Sequence, residues 1–101
     1  MRIETTCRHD SFPKPLLEYV QQQLTHIERL GEEFEKGEVV FDHEGGDVTC
    51  DVIIHRKRGE PFVASDKATD GRTAVDGVVG KLERQYLKSK EKQSAKDRRP
   101  H

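Results

Sequence analysis

An α+β fold of order β-α-β-β-β-α, a four-stranded sheet with two helices packed on one face, is what this 101-residue sequence predicts. Three patterns predict it. Inward and outward residues alternate in short runs, most clearly at Val48–His55, where Val48, Cys50, Val52 and Ile54 share one side. Apolar residues recur every three or four positions in two longer stretches, the mark of helices with one buried face. Glycine turns, EGGD and RKRGE, join strand to strand.

Arg2–Cys7 alternates, with Ile3, Thr5 and Cys7 on one side, and is the first strand. Residues 8–15 lead into a helix whose start Pro15 tolerates, because the first turn leaves that amide unpaired in any case. Leu16, Val20, Leu24 and Ile27 give that helix its buried face up to Leu30, with Gly31 expected as its C-cap. Residues 31–37 read as an acidic, glycine-punctuated connection, with Phe34 tucked onto the core. Glu38–His43 is the second strand, Val48–His55 the third, and Phe62–Ser65 a short fourth. Joined through a helix, the first strand is expected parallel to its neighbour, and the other three form an antiparallel meander.

Asp66–Asp70 leads into the last helix, with Thr69 or Asp70 as N-cap. There Val75, Val78, Val79, Leu82 and Tyr86 fall within an arc of about 100° that faces the core. Lys81, Arg84, Lys88 and Lys92 fall within about 80° on the opposite side. A solvated helix face ordinarily interleaves charges; here only Glu83 and Glu91 stand near four cations, so the imbalance points to phosphate. Gly77 and Gly80 lie off the apolar stripe, where they would let another backbone approach. The sequence divides into a domain over residues 1–92 and a flexible basic tail over residues 93–101.

The formal net charge of −1 hides an uneven distribution. Residues 1–65 hold 8 Lys+Arg against 13 Asp+Glu, and residues 66–101 hold 10 against 6. The acids concentrate at Glu28, Glu32, Glu33, Glu35, Glu38, Asp42 and Glu44, an arrangement suited to oriented docking on a polyanion. No apolar run approaches a membrane span, and no signal-peptide core opens the chain, so a soluble cytoplasmic protein is expected. Cys7 and Cys50 fall in the inward phase of strands and are expected as reduced, buried thiols.

Other chemistry fits less well. Cys7 and His9 stand in C-x-H spacing, unlike structural zinc pairs, and Cys50 and His55 fall on opposite faces of one strand, so neither a metal nor a cofactor is expected. His9, Asp10 and Ser11 are triad residue types, but consecutive residues cannot face one another as a triad requires. Gly45-Gly46 joins two strands and cradles no phosphate before a helix. The chain reads as a binder and not an enzyme. Arg56-Lys57-Arg58 on a hairpin tip suits either a phosphate contact or protection of a sheet edge.

The block Lys81-Leu82-Glu83-Arg84-Gln85 with trailing Lys88, Lys90 and Lys92, together with Ala64-Ser65, Asp70 and Ala74-Val75-Asp76-Gly77, resembles the ribosome hibernation-promoting factor family, also called ribosome-associated inhibitor or sigma-54 modulation proteins. Ile3 to His9 and Leu17 to Leu30 match more loosely, so the resemblance spans nearly the whole chain. It implies a fold similar to double-stranded RNA-binding domains. It also implies binding to the small ribosomal subunit, on 16S-type rRNA, in the channel used by messenger and transfer RNA, with translation stopped while bound. By that resemblance Lys81, Arg84, Lys88, Lys90 and Lys92 face ribosomal RNA, as does Arg8. Two departures stand out: Gly71-Arg72 replaces a Met-Tyr pair common in the family, and Gly80 an acid. The resemblance further implies a short member, monomeric off the ribosome, without the domain by which long members dimerise ribosomes, though a separate ribosome-dimerising partner protein fits the same pattern. The rival reading is a structured-RNA binder not restricted to the ribosome.

Overall fold

The computed structural model describes residues 1–9, 11–30 and 34–97, with only the backbone of 91–97. Its elements are β1 (Arg2–Cys7), α1 (Lys14–Glu28), β2 (Phe34–Glu44), β3 (Asp47–Arg56), β4 (Phe62–Ala68) and α2 (Gly71–Asp97). The strands lie in the order β1-β2-β3-β4. β1 runs parallel to β2, and β2, β3 and β4 form an antiparallel meander. The register aligns Val39 with Val52 and Val52 with Ala64, so one row of inward side chains crosses three strands. Val20, Leu24 and Ile27 of α1 and Val75, Val78, Leu82 and Tyr86 of α2 close over the same face in a single apolar core.

Both helices run in the same sense. α1 begins beyond Cys7, which pairs with Phe41 near the β2–β3 hairpin. It ends where Glu28 holds the N-terminal ammonium of Met1, near the β3–β4 hairpin. α2 starts beside the β2–β3 hairpin, and at the other end its Tyr86 meets Phe34 and Phe62 edge-on, with ring centroids 6.4 Å from each. The Tyr86 hydroxyl donates to the Leu30 carbonyl at 2.8 Å. A helix of 27 residues is about 40 Å long, and among the described side chains Tyr86 is the last of α2 in the core. The remaining turns therefore project past the β3–β4 hairpin, which accounts for the 55 × 24 × 18 Å extents.

Several boundaries differ from the sequence expectation. β2 begins at Phe34, four residues early, because Gly37 is buried inside the strand instead of marking a connection. A Cβ at Gly37 would stand 3.3 Å from the Met1 sulfur and 3.7 Å from Leu24, so glycine lets α1 pack down on β2. A register shift between Phe34 and Lys36 absorbs the irregularity. β4 continues to Ala68, since Lys67 and Ala68 still pair with Thr49 and Val48. α1 starts at Lys14, with the Leu16 and Leu17 amides donating to the Pro13 carbonyl. It ends at Glu28 with Arg29 as C-cap, earlier than expected; Gly31 lies outside the described residues. The tail expected from residue 93 is helical as far as Asp97. Cys7 is half-buried, and only Cys50 lies fully inside.

Candidate nucleic-acid interface

α2 is fixed at its start by Asp70, whose carboxylate accepts from the Thr73 amide at 3.0 Å and the Thr73 hydroxyl at 3.1 Å. These bonds hold the Asp70 carboxyl below its ordinary value. Gly77 lets the helix approach β4: a Cβ there would fall 1.7 Å from an Asp66 carboxylate oxygen. Gly80 meets no such neighbour, with only the Arg84 guanidinium at 3.9 Å. The apolar stripe then orients everything else on the cylinder.

Lys81 and Gln85, one turn apart, face the outer edge of β4. The Gln85 side chain accepts from the Val63 amide at 3.1 Å and donates to the Val63 carbonyl at 2.6 Å, as a neighbouring strand would. Lys81 Nζ donates to the Ser65 carbonyl at 2.7 Å and stands 3.8 Å from Asp66. The sequence marks Lys81 as a phosphate ligand, and the structure engages its ammonium at the strand edge. Gln85 carries the seal of that edge, a role the sequence reading missed; an amide at helical spacing from a lysine is its only linear trace.

Arg84, Lys88 and Lys90 are exposed along α2 toward and beyond the β3–β4 hairpin. Arg84 Nε donates back to the Gly80 carbonyl at 3.3 Å, and the Lys90 ammonium lies 5.7 Å from the Tyr86 ring centre. The side chain of Lys92 lies outside the described residues. Arg56 joins the hairpin to this stretch: its guanidinium lies 4.4 Å from the Phe62 ring centre and donates to the Ser89 hydroxyl at 3.2 Å. Lys57 and Arg58 follow, exposed on the tip. Two basic segments far apart in sequence thus form one cationic fork at one end of the sheet. Arg8 does not join them. It follows β1 at the opposite end, its amide donating to the Phe41 carbonyl at 2.8 Å.

The acids do not form a single pole. Glu28 is at the fork end, bound to the Met1 ammonium, while Asp42 and Glu44 are at the far end. Glu38 lies on the open sheet face, where Lys36 at 3.5 Å and His55 at 2.8 Å flank it. The His55 hydrogen bond, with help from Lys36, holds the Glu38 carboxyl below its ordinary value. Glu32 and Glu33 lie outside the described residues. Burial pushes the Cys50 thiol up to about 12, leaving it protonated and inert near neutral pH. Among the described residues no His, Cys, Asp and Glu cluster fits a metal ion, and no helix is long and apolar enough to cross a membrane. The chemistry this end offers is charge neutralisation on a rigid support.

Comparison with known proteins gives this geometry a context. A family model described as sigma 54 modulation protein / S30EA ribosomal protein matches residues 3–94. A ribosome hibernation promoting factor of Pseudomonas putida is 27% identical over 95 residues, spanning 94% of this chain and 92% of its own. One of Escherichia coli strain K12 is 29% identical over 92 residues, spanning 91% of this chain and 96% of its own. In fold, a ribosomal subunit interface protein from Coxiella burnetii superposes with TM-score 0.82 at 23% identity, covering 90% of this chain and 99% of its own. The Thermus thermophilus Protein Y N-terminal domain superposes with TM-score 0.73 at 22% identity, covering 84% and 94%.

Proposed function

Because the chain belongs to the sigma 54 modulation protein / S30EA ribosomal protein family, we propose that it is a ribosome hibernation factor that binds the small ribosomal subunit in the messenger and transfer RNA channel and stops translation while bound. The observation that carries this reading is the fork, in which the Arg56–Ser89 contact joins the hairpin of Lys57 and Arg58 to the α2 turn of Lys88 and Lys90, with Arg84 exposed one turn before. Folded rRNA presents phosphates at fixed spacing, and it is recognised mainly through backbone and shape. A rigid helix reaching past the sheet suits a narrow channel lined by such phosphates. Occupying the channel is then the whole activity, and the family is not one of enzymes. The working partner is the ribosome, through 16S-type rRNA, in the cytoplasm; off the ribosome the chain is a monomer.

Co-sedimentation with purified small subunits, in parallel with a generic A-form duplex over a salt series, tests this. Wild type is expected to prefer the subunit, with a salt dependence reporting about three to five phosphates. Arg84→Glu, Lys88→Glu and Lys90→Glu together are expected to abolish that binding and to relieve inhibition of translation in vitro. Equal binding to subunit and duplex would replace this reading with a structured-RNA binder not restricted to the ribosome. Binding that survives the triple change would remove the fork from the mechanism.

A further inference from the structure

At the end of the sheet away from the fork, the loop after β1 and the first turns of α1 and α2 enclose a cleft of about 600 Å³. That is room for a small ligand. A stacked ring pair and a cation–ring pair contribute to its walls. His43 lies on Phe12 with ring centroids 4.7 Å apart and planes 15° from parallel. The Arg72 guanidinium lies 4.5 Å from the Tyr19 ring centre, and the Tyr19 hydroxyl donates to Asp76 on the next turn of α2. The Arg72 guanidinium is therefore held over a ring that is itself anchored to α2.

Among the described residues, the charges lining the cleft are one acid, Glu18, and one cation, Arg72. Three described acids nearby have partners of their own: Asp70 caps α2, Asp76 accepts from Tyr19, and Asp42 takes a 3.0 Å contact from His9. A wall with no surplus of cations does not suit a phosphate cluster. It suits a flat, nearly neutral group. Glu18 and Gln22, one turn apart on α1, add a carboxylate acceptor and an amide that both donates and accepts. An apolar side chain covering them would strip their water and return no hydrogen bond, whereas a nucleobase carries matching groups on its edge. Arg guanidinium planes and aromatic rings are the surfaces on which unpaired bases stack.

We infer that this cleft is a binding site for one unstacked nucleobase of single-stranded RNA, stacked on Arg72 and read at its edge by Glu18 and Gln22. Guanine fits best, because its ring N–H and exocyclic amine offer two adjacent donors to one carboxylate. The choice of RNA as the ligand's source rests on the proposed function; the site itself is separate from the fork.

The test is an amide NMR titration of the full chain with guanosine, inosine and uridine, free of ribosomes. Guanosine is expected to give saturable shifts at Phe12, Tyr19, Gln22, His43 and Arg72, and to bind more tightly than inosine, which lacks the amine. Arg72→Ala and Arg72→Lys should both weaken binding, by about 5- to 100-fold, since the lysine keeps the charge but loses the plane. Glu18→Gln should erase the difference between guanosine and inosine. The inference falls if no nucleoside shifts these amides, or if the shifts gather on α2 beyond Tyr86. It also falls if Arg72→Lys binds as wild type, or if a proline- and aromatic-rich peptide occupies the cleft and guanosine cannot displace it. Saturable guanosine binding by a chain that fails to co-sediment with small subunits would sink the ribosomal reading and keep the cleft.

Discussion

At Asp70 a single carboxylate fixes the start of α2 and ties it to pH. Hydrogen bonds from Thr73 lower the Asp70 carboxyl, the His9 contact and the His43 amide lower Asp42, and His55 lowers Glu38. In each case the folded state binds its proton less readily than the unfolded chain does. The stabilisation is therefore complete above the ordinary carboxylate range and is lost as pH falls through the lowered folded-state values. The urea midpoint is expected to fall between about pH 6 and about pH 3. Asp70→Asn should keep the cap while flattening part of that slope, and Asp70→Ala should lower the midpoint throughout. Gly77 gives a second test. Alanine gains about 1 kcal/mol of helix propensity but drives a methyl into the Asp66 carboxylate, an overpacking cost of about 1–3 kcal/mol. Gly77→Ala should melt below wild type, and adding Asp66→Ala should recover part of the loss. The cap was legible in the sequence to within one residue, Thr69 or Asp70, since capping chemistry is local. For Gly77 a close approach was legible and the group that approaches was not, because Asp66 is on β4; at Gly80 the same expectation meets only Arg84.

The pairing of α2 with β4 follows from side chains that meet an open strand edge. A sheet edge presents unpaired amides and carbonyls to any passing strand, and at β4 the Gln85 side chain occupies the amide and carbonyl of Val63 while the Lys81 ammonium occupies the carbonyl of Ser65. Gln85→Ala is expected to speed hydrogen exchange at the Val63 amide and raise concentration-dependent self-association, measured by light scattering. Gln85→Glu keeps the acceptor for that amide, so the Val63 amide should remain slower to exchange than in the alanine variant. Deeper in the same helix, Leu82→Ala should cost about 2–5 kcal/mol in urea denaturation, because the site is fully buried between helix and sheet. Element order and pairing sense were readable from periodicity and connection length. The start of β2 was not, because Gly37 carries the same letter whether it turns a chain or admits Leu24, and only the packing distinguishes the two.

For the molecule as a whole, the fork depends on α2 running toward the β3–β4 hairpin. That direction brings Arg56 to Ser89 and leaves Arg8 at the other end. Linear charge counts separate an acidic half from a basic half, yet folding places described acids at both ends and on the open face between them. If hairpin and helix grip one polyanion, Lys57→Glu with Arg58→Glu should also lower the salt dependence of subunit binding, by about one per cation that touches phosphate. Arg56→Lys should weaken subunit binding at unchanged charge, since lysine cannot both lie flat on Phe62 and reach Ser89. The parallel pairing of β1 with β2 carries a consequence for the order of assembly. Every partner of β1 lies more than a helix away along the chain, with Arg2 opposite Lys36, whereas β2, β3 and β4 are joined by tight hairpins. Closing the longer loop is entropically the harder step. On a ribosome making this chain, the first strand to emerge waits for β2, and the core waits for Leu82 and Tyr86 midway along α2. Under the proposed function, a nascent chain thus acquires its grip on RNA only after the whole sheet and the buried half of α2 have been made, and until then it leaves the particle building it untouched.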